Sequence, residues 1–122
     1  MNSNKKILIV EDDMIISLVV ENMVKELGYS VVGKAVSGEE AIKIAQEEQP
    51  DILLMDIRLK GDMDGIDTVA KIKESIDPKV IYLTGNSDRL NFERAKDTDF
   101  ADLIVKPFTI GDLDKSLKLL VD

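Results

Sequence analysis

The sequence predicts an α/β fold in which five parallel strands form one doubly wound sheet with helices on both faces. Two observations carry this prediction. Short apolar runs recur that are continuous rather than alternating, as strands buried on both faces require, and the segments between them are long enough for crossover helices. Ile7-Leu8-Ile9-Val10 is the first run. A helix follows, roughly from Met14 to Leu27, where Ile16, Val19, Met23 and Leu27 recur at spacings of three and four and predict a core stripe. Ile15 and Leu18 lie off that stripe, and either widen the buried face or belong to a surface that meets a partner. Gly28 ends the helix, and Val31-Val32 is the second run. Ser37-Gly38-Glu39-Glu40 is a capping-box pattern ahead of Ala41, Ile42 and Ile44, and Gln49-Pro50-Asp51 stops this second helix. The remaining runs are Ile52-Leu53-Leu54-Met55, Val80-Ile81-Tyr82-Leu83 and Leu103-Ile104-Val105. Thr109-Ile110-Gly111-Asp112 places a cap before the last helix, with Leu113, Leu117 and Leu120 on its apolar side.

The 122 residues amount to one domain, so 1–122 is read as a single unit, and 44% apolar residues are enough for a conventional core. Lys and Arg number 16 against 24 Asp and Glu, and the net charge of −8 argues against DNA or RNA binding. The absence of Cys removes disulfides, thiolate nucleophiles and thiolate metal sites. The absence of His removes the imidazole base, the ordinary zinc site and any phosphohistidine of the chain's own. Carboxylate, hydroxyl and Lys chemistry remain, and the metal that suits them is a hard, oxygen-preferring one such as Mg²⁺. The first apolar run is too short for a signal peptide or a membrane span, so a soluble, cytoplasmic protein is expected.

In an open parallel sheet, ligands sit beyond the carboxyl ends of the strands, near the point where strand order reverses. The residues there are Glu11, Asp12 and Asp13 after the first run, Asp56 after the third, Thr84 after the fourth and Lys106-Pro107 after the fifth. Two carboxylates about 5 Å apart repel by roughly 3 kcal/mol at an effective dielectric near 20, so Glu11, Asp12 and Asp56 together call for a cation or a proton. A phosphoryl transfer onto a carboxylate uses this set economically. Negative charge spreads over the phosphoryl oxygens in the transition state, and Mg²⁺ on Glu11 and Asp12, the Lys106 ammonium and the Thr84 hydroxyl would share it, with Asp56 as nucleophile.

These motifs, Ile-Leu-Ile-Val-Glu11-Asp12-Asp13, Leu-Leu-Met-Asp56, Tyr-Leu-Thr84-Gly and Ile-Val-Lys106-Pro107-Phe108, resemble those of the receiver domain of two-component response regulators, over essentially the whole chain. The resemblance implies a flavodoxin-like (βα)5 sheet of strand order 2-1-3-4-5. It implies that Asp56 accepts phosphate from a histidine kinase or a histidine phosphotransfer protein, that Glu11, Asp12, Asp56 and the carbonyl of Arg58 hold Mg²⁺, and that a cis Lys106-Pro107 bond aims Lys106 at the phosphate. Such a domain is a signalling module that assists only its own phosphorylation and dephosphorylation, without binding nucleic acid or membrane. Its output is a surface change read by a downstream protein through the fourth helix, fifth strand and fifth helix, or onward transfer of the phosphate, as a monomer or a phosphorylation-dependent dimer.

The sequence departs from the family pattern in two places. The loop after the acceptor usually reads Asp-x-x-Met-Pro-x-x-Asp-Gly; here it has Lys60 in the Pro position and one extra residue before Asp64-Gly65. Leu103 stands where the family usually has Tyr or Phe, so activation is expected to rest on Thr84, the loop after it and the fourth helix. Ile57 and Asn86 occupy the positions that tune hydrolysis of the acyl phosphate and push in opposite directions. A flavodoxin-type carrier is disfavoured because Glu11-Asp12-Asp13 would repel its phosphate, and a haloacid-dehalogenase-type phosphatase because Arg58 stands where its second Asp belongs. An unphosphorylated interaction module, or a receiver cut from a larger regulator or hybrid kinase, is the alternative to the stand-alone receiver expected here.

Overall fold

The computed structural model describes residues 5–85 and 89–120, and its side chains apart from those of residues 89–91. Strands and helices alternate as β1 (Lys6–Val10), α1 (Met14–Glu26), β2 (Ser30–Ala35), α2 (Gly38–Glu48), β3 (Ile52–Asp56), α3 (Gly65–Ile72), β4 (Lys79–Thr84), α4 (Arg89–Lys96), β5 (Asp102–Val105) and α5 (Ile110–Lys118). The strands form one parallel sheet of order β2-β1-β3-β4-β5. Successive side chains on a strand point to opposite faces, which is why the runs are apolar without a break. Leu8, Val10, Leu53, Met55, Val80 and Tyr82 pack on one face with α2, α3 and Ala95 of α4. Ile7, Ile9, Ile52, Leu54, Ile81 and Leu83 pack on the other with Val20 and Val24 of α1 and Leu113 and Leu117 of α5.

The helix boundaries follow their local chemistry. Asp13 caps α1, its carboxylate accepting from the N–H groups of Ile15 and Ile16, and Gly28 leaves the helix at φ 95°. Ser37 caps α2, but the capping box expected there is shifted: the Glu40 carboxylate accepts from the N–H of Val36, one residue before the cap. Gln49 ends α2 in the left-handed conformation. Asp64 with Asp67, and Thr109 with Asp112, form reciprocal capping boxes at α3 and α5.

The core stripe expected on α1 is shifted by one position. Val19 is 48% exposed, and the buried line is Ser17, Val20 and Val24, flanked by the partly buried Ile16, Met23 and Leu27. Residues 16, 20, 23 and 27 satisfy the same three-and-four spacing, and the contact with β1 and β2 selects that phase. Ile15 and Leu18, which the sequence left open, face solvent at 76% and 51% exposure. Among the described residues no helix is long and apolar enough to cross a membrane.

On the opposite side α4 is tied near its carboxyl end. Arg94 reaches Asp64 at 2.8 Å and Asp67 at 2.9 Å, joining α4 to the first turn of α3. The Tyr82 hydroxyl pairs with Thr98 Oγ1 at 2.7 Å, and Thr98 in turn donates to the carbonyl of Ala95. Phe100 lies edge-on to Tyr82, with 5.4 Å between ring centroids.

Gly65, the first residue of α3, lies against the end of β3. Its N–H donates to the Ile57 carbonyl at 2.8 Å, and a Cβ there would run into the carbonyl oxygen of Asp56. Backbone cannot step aside as a flexible side chain can, so Gly65→Ala should cost about 1–3 kcal/mol. Urea unfolding checks this, and a loss below about 0.5 kcal/mol, within the range of ordinary surface substitutions, would show that the approach is not tight.

Candidate functional site

A parallel sheet brings the carboxyl ends of its strands to one edge, and the register fixes which residues meet there. Asp56 closes β3 opposite Leu83, and Thr84 closes β4 opposite Val105. The ladder runs one residue further on each side: the Glu11 N–H donates to the Ala35 carbonyl at 3.0 Å, and the Lys106 N–H to the Thr84 carbonyl at 2.7 Å. Thr84 is buried on the strand between those that lead to Asp56 and Lys106. The Lys106-Pro107 peptide is cis.

The side chains converge. Lys106 Nζ lies 2.9 Å from Glu11 Oε1 and 3.0 Å from Asp56 Oδ2. The second oxygens are also used: Glu11 Oε2 accepts from the Asp13 N–H and Asp56 Oδ1 from the Arg58 N–H, each at 3.1 Å. Asp12 is half-buried, and its Oδ2 accepts from the Lys60 N–H at 3.1 Å. Glu11, Asp12 and Asp56 each present a carboxylate oxygen within 4.8 Å of the others. Asp13, the third acid in the run, is taken up by capping α1 and is outside this group.

Burial governs the electrostatics. Glu11 is 1% exposed and Asp56 5%. Removal from water, then the Glu11 charge, push the Asp56 carboxyl up from 3.8 to about 7, against the pull of Lys106. For Lys106, burial alone would lower the pKa, but the contacts with Glu11 and Asp56 outweigh it and the net shift is upward. The site therefore favours the charged form of Lys106 and disfavours that of Asp56.

The structure thus gathers Glu11, Asp12, Asp56 and Lys106 into one cluster, with Thr84 at the same edge and Arg58 in the loop after Asp56. Ile57 is 1% exposed and its side chain packs in the α2–α3 core directly after Asp56. Asn86 lies outside the described residues. Leu103 is half-buried against the core on the α2–α4 face. Two contributors were not anticipated: the Lys60 N–H and the close approach of Gly65. The departure from Pro at position 60 was the signal for the first, since any other residue there carries an N–H.

The Asp56 shift has a measurable consequence in the metal-free protein. The folded state holds the proton up to about pH 7, whereas an unfolded carboxyl releases it near 3.8. The folded state therefore binds more protons in that window, and stability should fall as pH rises from about 4 to about 7, at most on the order of 1 kcal/mol per pH unit. Asp56→Asn should flatten that fall and be more stable than the wild type at pH 8 in chelator. Denaturation midpoints across the range check this; equal slopes in the two proteins would contradict it.

The comparisons with known proteins agree with one another. A model described as the response regulator receiver domain matches residues 7–118. The transcriptional regulatory protein PdtaR of Mycobacterium tuberculosis is 36% identical over 117 residues, covering 96% of this chain and 57% of that protein, so the chain spans a little over half the relative's length. The chemotaxis protein CheY of Thermotoga maritima is 35% identical over 106 residues, covering 85% of this chain and 87% of CheY. Among solved structures, the signal receiver domain of a modulated diguanylate cyclase from Desulfovibrio desulfuricans G20 superposes with a TM-score of 0.90 at 32% identity, covering 98% of this chain and 94% of that one. The receiver domain of sensor histidine kinase PA1611 from Pseudomonas aeruginosa PAO1, with a magnesium ion coordinated in its active-site cleft, gives 0.84 at 29%, covering 97% and 98%. With the family match over most of its length and its fold and strand order in agreement, the chain belongs to the response regulator receiver domain family.

Proposed function

We propose that Asp56 accepts a phosphoryl group from a phosphohistidine on another protein, in a Mg²⁺-dependent reaction, and that the modified domain signals through its surface or passes the phosphate on. One observation carries this reading: a buried carboxylate at a strand end, 3.0 Å from the Lys106 ammonium, with two further carboxylates beside it. The donor set suits Mg²⁺, because Glu11, Asp12, Asp56 and the Arg58 carbonyl offer only oxygen. The receiver domain of PA1611 supports that assignment by its bound magnesium. When bound, Mg²⁺ supplies positive charge that draws Asp56 into its ionised form and offsets the phosphoryl oxygens.

The ionised Asp56 oxygen attacks phosphorus. An O–P bond forms as the P–N bond to the donor imidazole breaks, and the imidazole nitrogen keeps the electron pair. Lys106 turns from Asp56 to the incoming phosphoryl oxygens, and the Thr84 hydroxyl donates to another. With Leu103 unable to act as an aromatic switch, the change passes from Thr84 to α4. The domain is proposed to span 1–122 and to act in the cytoplasm, as a monomer or a phosphorylation-dependent dimer, with a downstream target on α4, β5 and α5.

The donor has a docking place in this reading. A groove of about 400 Å³ runs between α1 and the segment after β5, lined by Ile15, Ile16, Val19, Met23, Pro107 and Phe108, with Lys106 on its wall. Met14 and Leu18 extend its apolar border into solvent. A helical, phosphohistidine-bearing partner seated there would present its imidazole beside Lys106, and so beside Asp56.

Incubation with acetyl phosphate and Mg²⁺ should add one acid-labile phosphate, absent in Asp56→Asn and formed roughly a hundredfold more slowly in Lys106→Ala. No uptake by the wild type would overturn the proposal in favour of an unphosphorylated interaction module. The double variant Ile15→Asp/Leu18→Asp should slow transfer from a phosphorylated histidine kinase or phosphotransfer protein about tenfold or more, while uptake from acetyl phosphate stays unchanged. Equal slowing with both donors would place the effect in the site and not in docking.

A further inference from the structure

We infer that the backbone N–H of Lys60 is a positioning group that sets the Asp12 carboxylate for metal binding, so that the residue type at position 60 tunes Mg²⁺ affinity. The inference rests on the proposed metal site of Glu11, Asp12, Asp56 and the Arg58 carbonyl. The Lys60 N–H donates to Asp12 Oδ2 at 3.1 Å, across 48 positions of sequence, and directly joins the loop after β1 to the loop after β3. Each of these loops carries a proposed ligand. Asp12 is in the first, and Arg58 lies only two residues before Lys60 in the second. One hydrogen bond therefore fixes the span between two donors that must close on the same ion, and it occupies one Asp12 oxygen while leaving Oδ1 for the cation.

The contribution comes from the peptide and not from the side chain. Lys60 is exposed, and among the described residues its ammonium makes no hydrogen bond or ion pair. Every residue except Pro supplies an N–H here. Outer partners that orient a metal ligand typically change affinity by about 10- to 100-fold. An exposed bond such as this one belongs at the low end of that range.

Calorimetric Mg²⁺ titration of the full chain separates peptide from side chain. Lys60→Ala keeps the N–H and should bind within about twofold of the wild type, whereas Lys60→Pro should bind about tenfold more weakly. Wild-type affinity in Lys60→Pro, or an equal loss in Lys60→Ala, would overturn the inference. Amide hydrogen exchange in chelator gives a second reading that does not depend on the Pro variant folding. The Lys60 amide should be protected in the wild type and exchange about tenfold faster in Asp12→Ala; equal rates would also overturn it. If the wild type takes up no Mg²⁺ while the amide remains protected, the proposed metal site itself fails, and the bond is then only a loop tether.

Discussion

Glu11 and Asp56 are two carboxylates taken out of water within 4.8 Å of each other, and the Lys106 ammonium between them is what lets both stand there. Each carboxylate has its second oxygen on a backbone N–H, so neither is left unsatisfied. The arrangement is incomplete all the same. When Glu11, Asp12 and Asp56 are all ionised, one Lys leaves negative charge uncompensated, and a proton on Asp56 or a divalent cation must make up the difference. The phosphorylation proposed for Asp56 needs the second of these states, because a protonated carboxyl is no nucleophile. In the proposed reaction the same repulsion that costs stability in the metal-free protein makes Asp56 answer to Mg²⁺.

The rest of the fold serves to keep these charges close. Unbroken apolar strands bury both faces of the sheet, and parallel pairing delivers the ends of β1, β3, β4 and β5 to one edge. Gly65 lets α3 start directly against the Asp56 carbonyl. Arg94 then carries the connection from the first turn of α3 to the carboxyl end of α4, which Tyr82 and Thr98 also hold. Short, specific contacts join β3, α3 and α4, which gives a change at Asp56 a physical route to α4.

Most of the fold and the site's core were legible in the sequence because they follow from local patterns. Continuous apolar runs identify doubly buried strands without knowledge of their neighbours, and the polar residues Glu11, Asp56, Thr84 and Lys106 that follow four of the five runs fall at one edge. What was not legible depends on contacts between distant segments. The phase of α1 could be read with either Val19 or Val20 inward, and only packing on the sheet selects Val20. That the Ile57 side chain joins Leu53 and Met55 in the core follows from strand alternation continued past Asp56. The Glu40 carboxylate passes over the Ser37 cap to Val36, a choice of rotamer that spacing does not determine. The Lys60–Asp12 bond is a backbone contact, which residue type signals only by not being Pro.

The central claim is that crowded, buried carboxylates make this edge a Mg²⁺ site. Thermal unfolding near neutral pH with and without millimolar Mg²⁺ tests it most directly, because an ion that binds only the native state must raise the midpoint. The account predicts a clear rise for the wild type and loss of most of that rise in Asp12→Ala. The same rise in both proteins would place the metal elsewhere and contradict it.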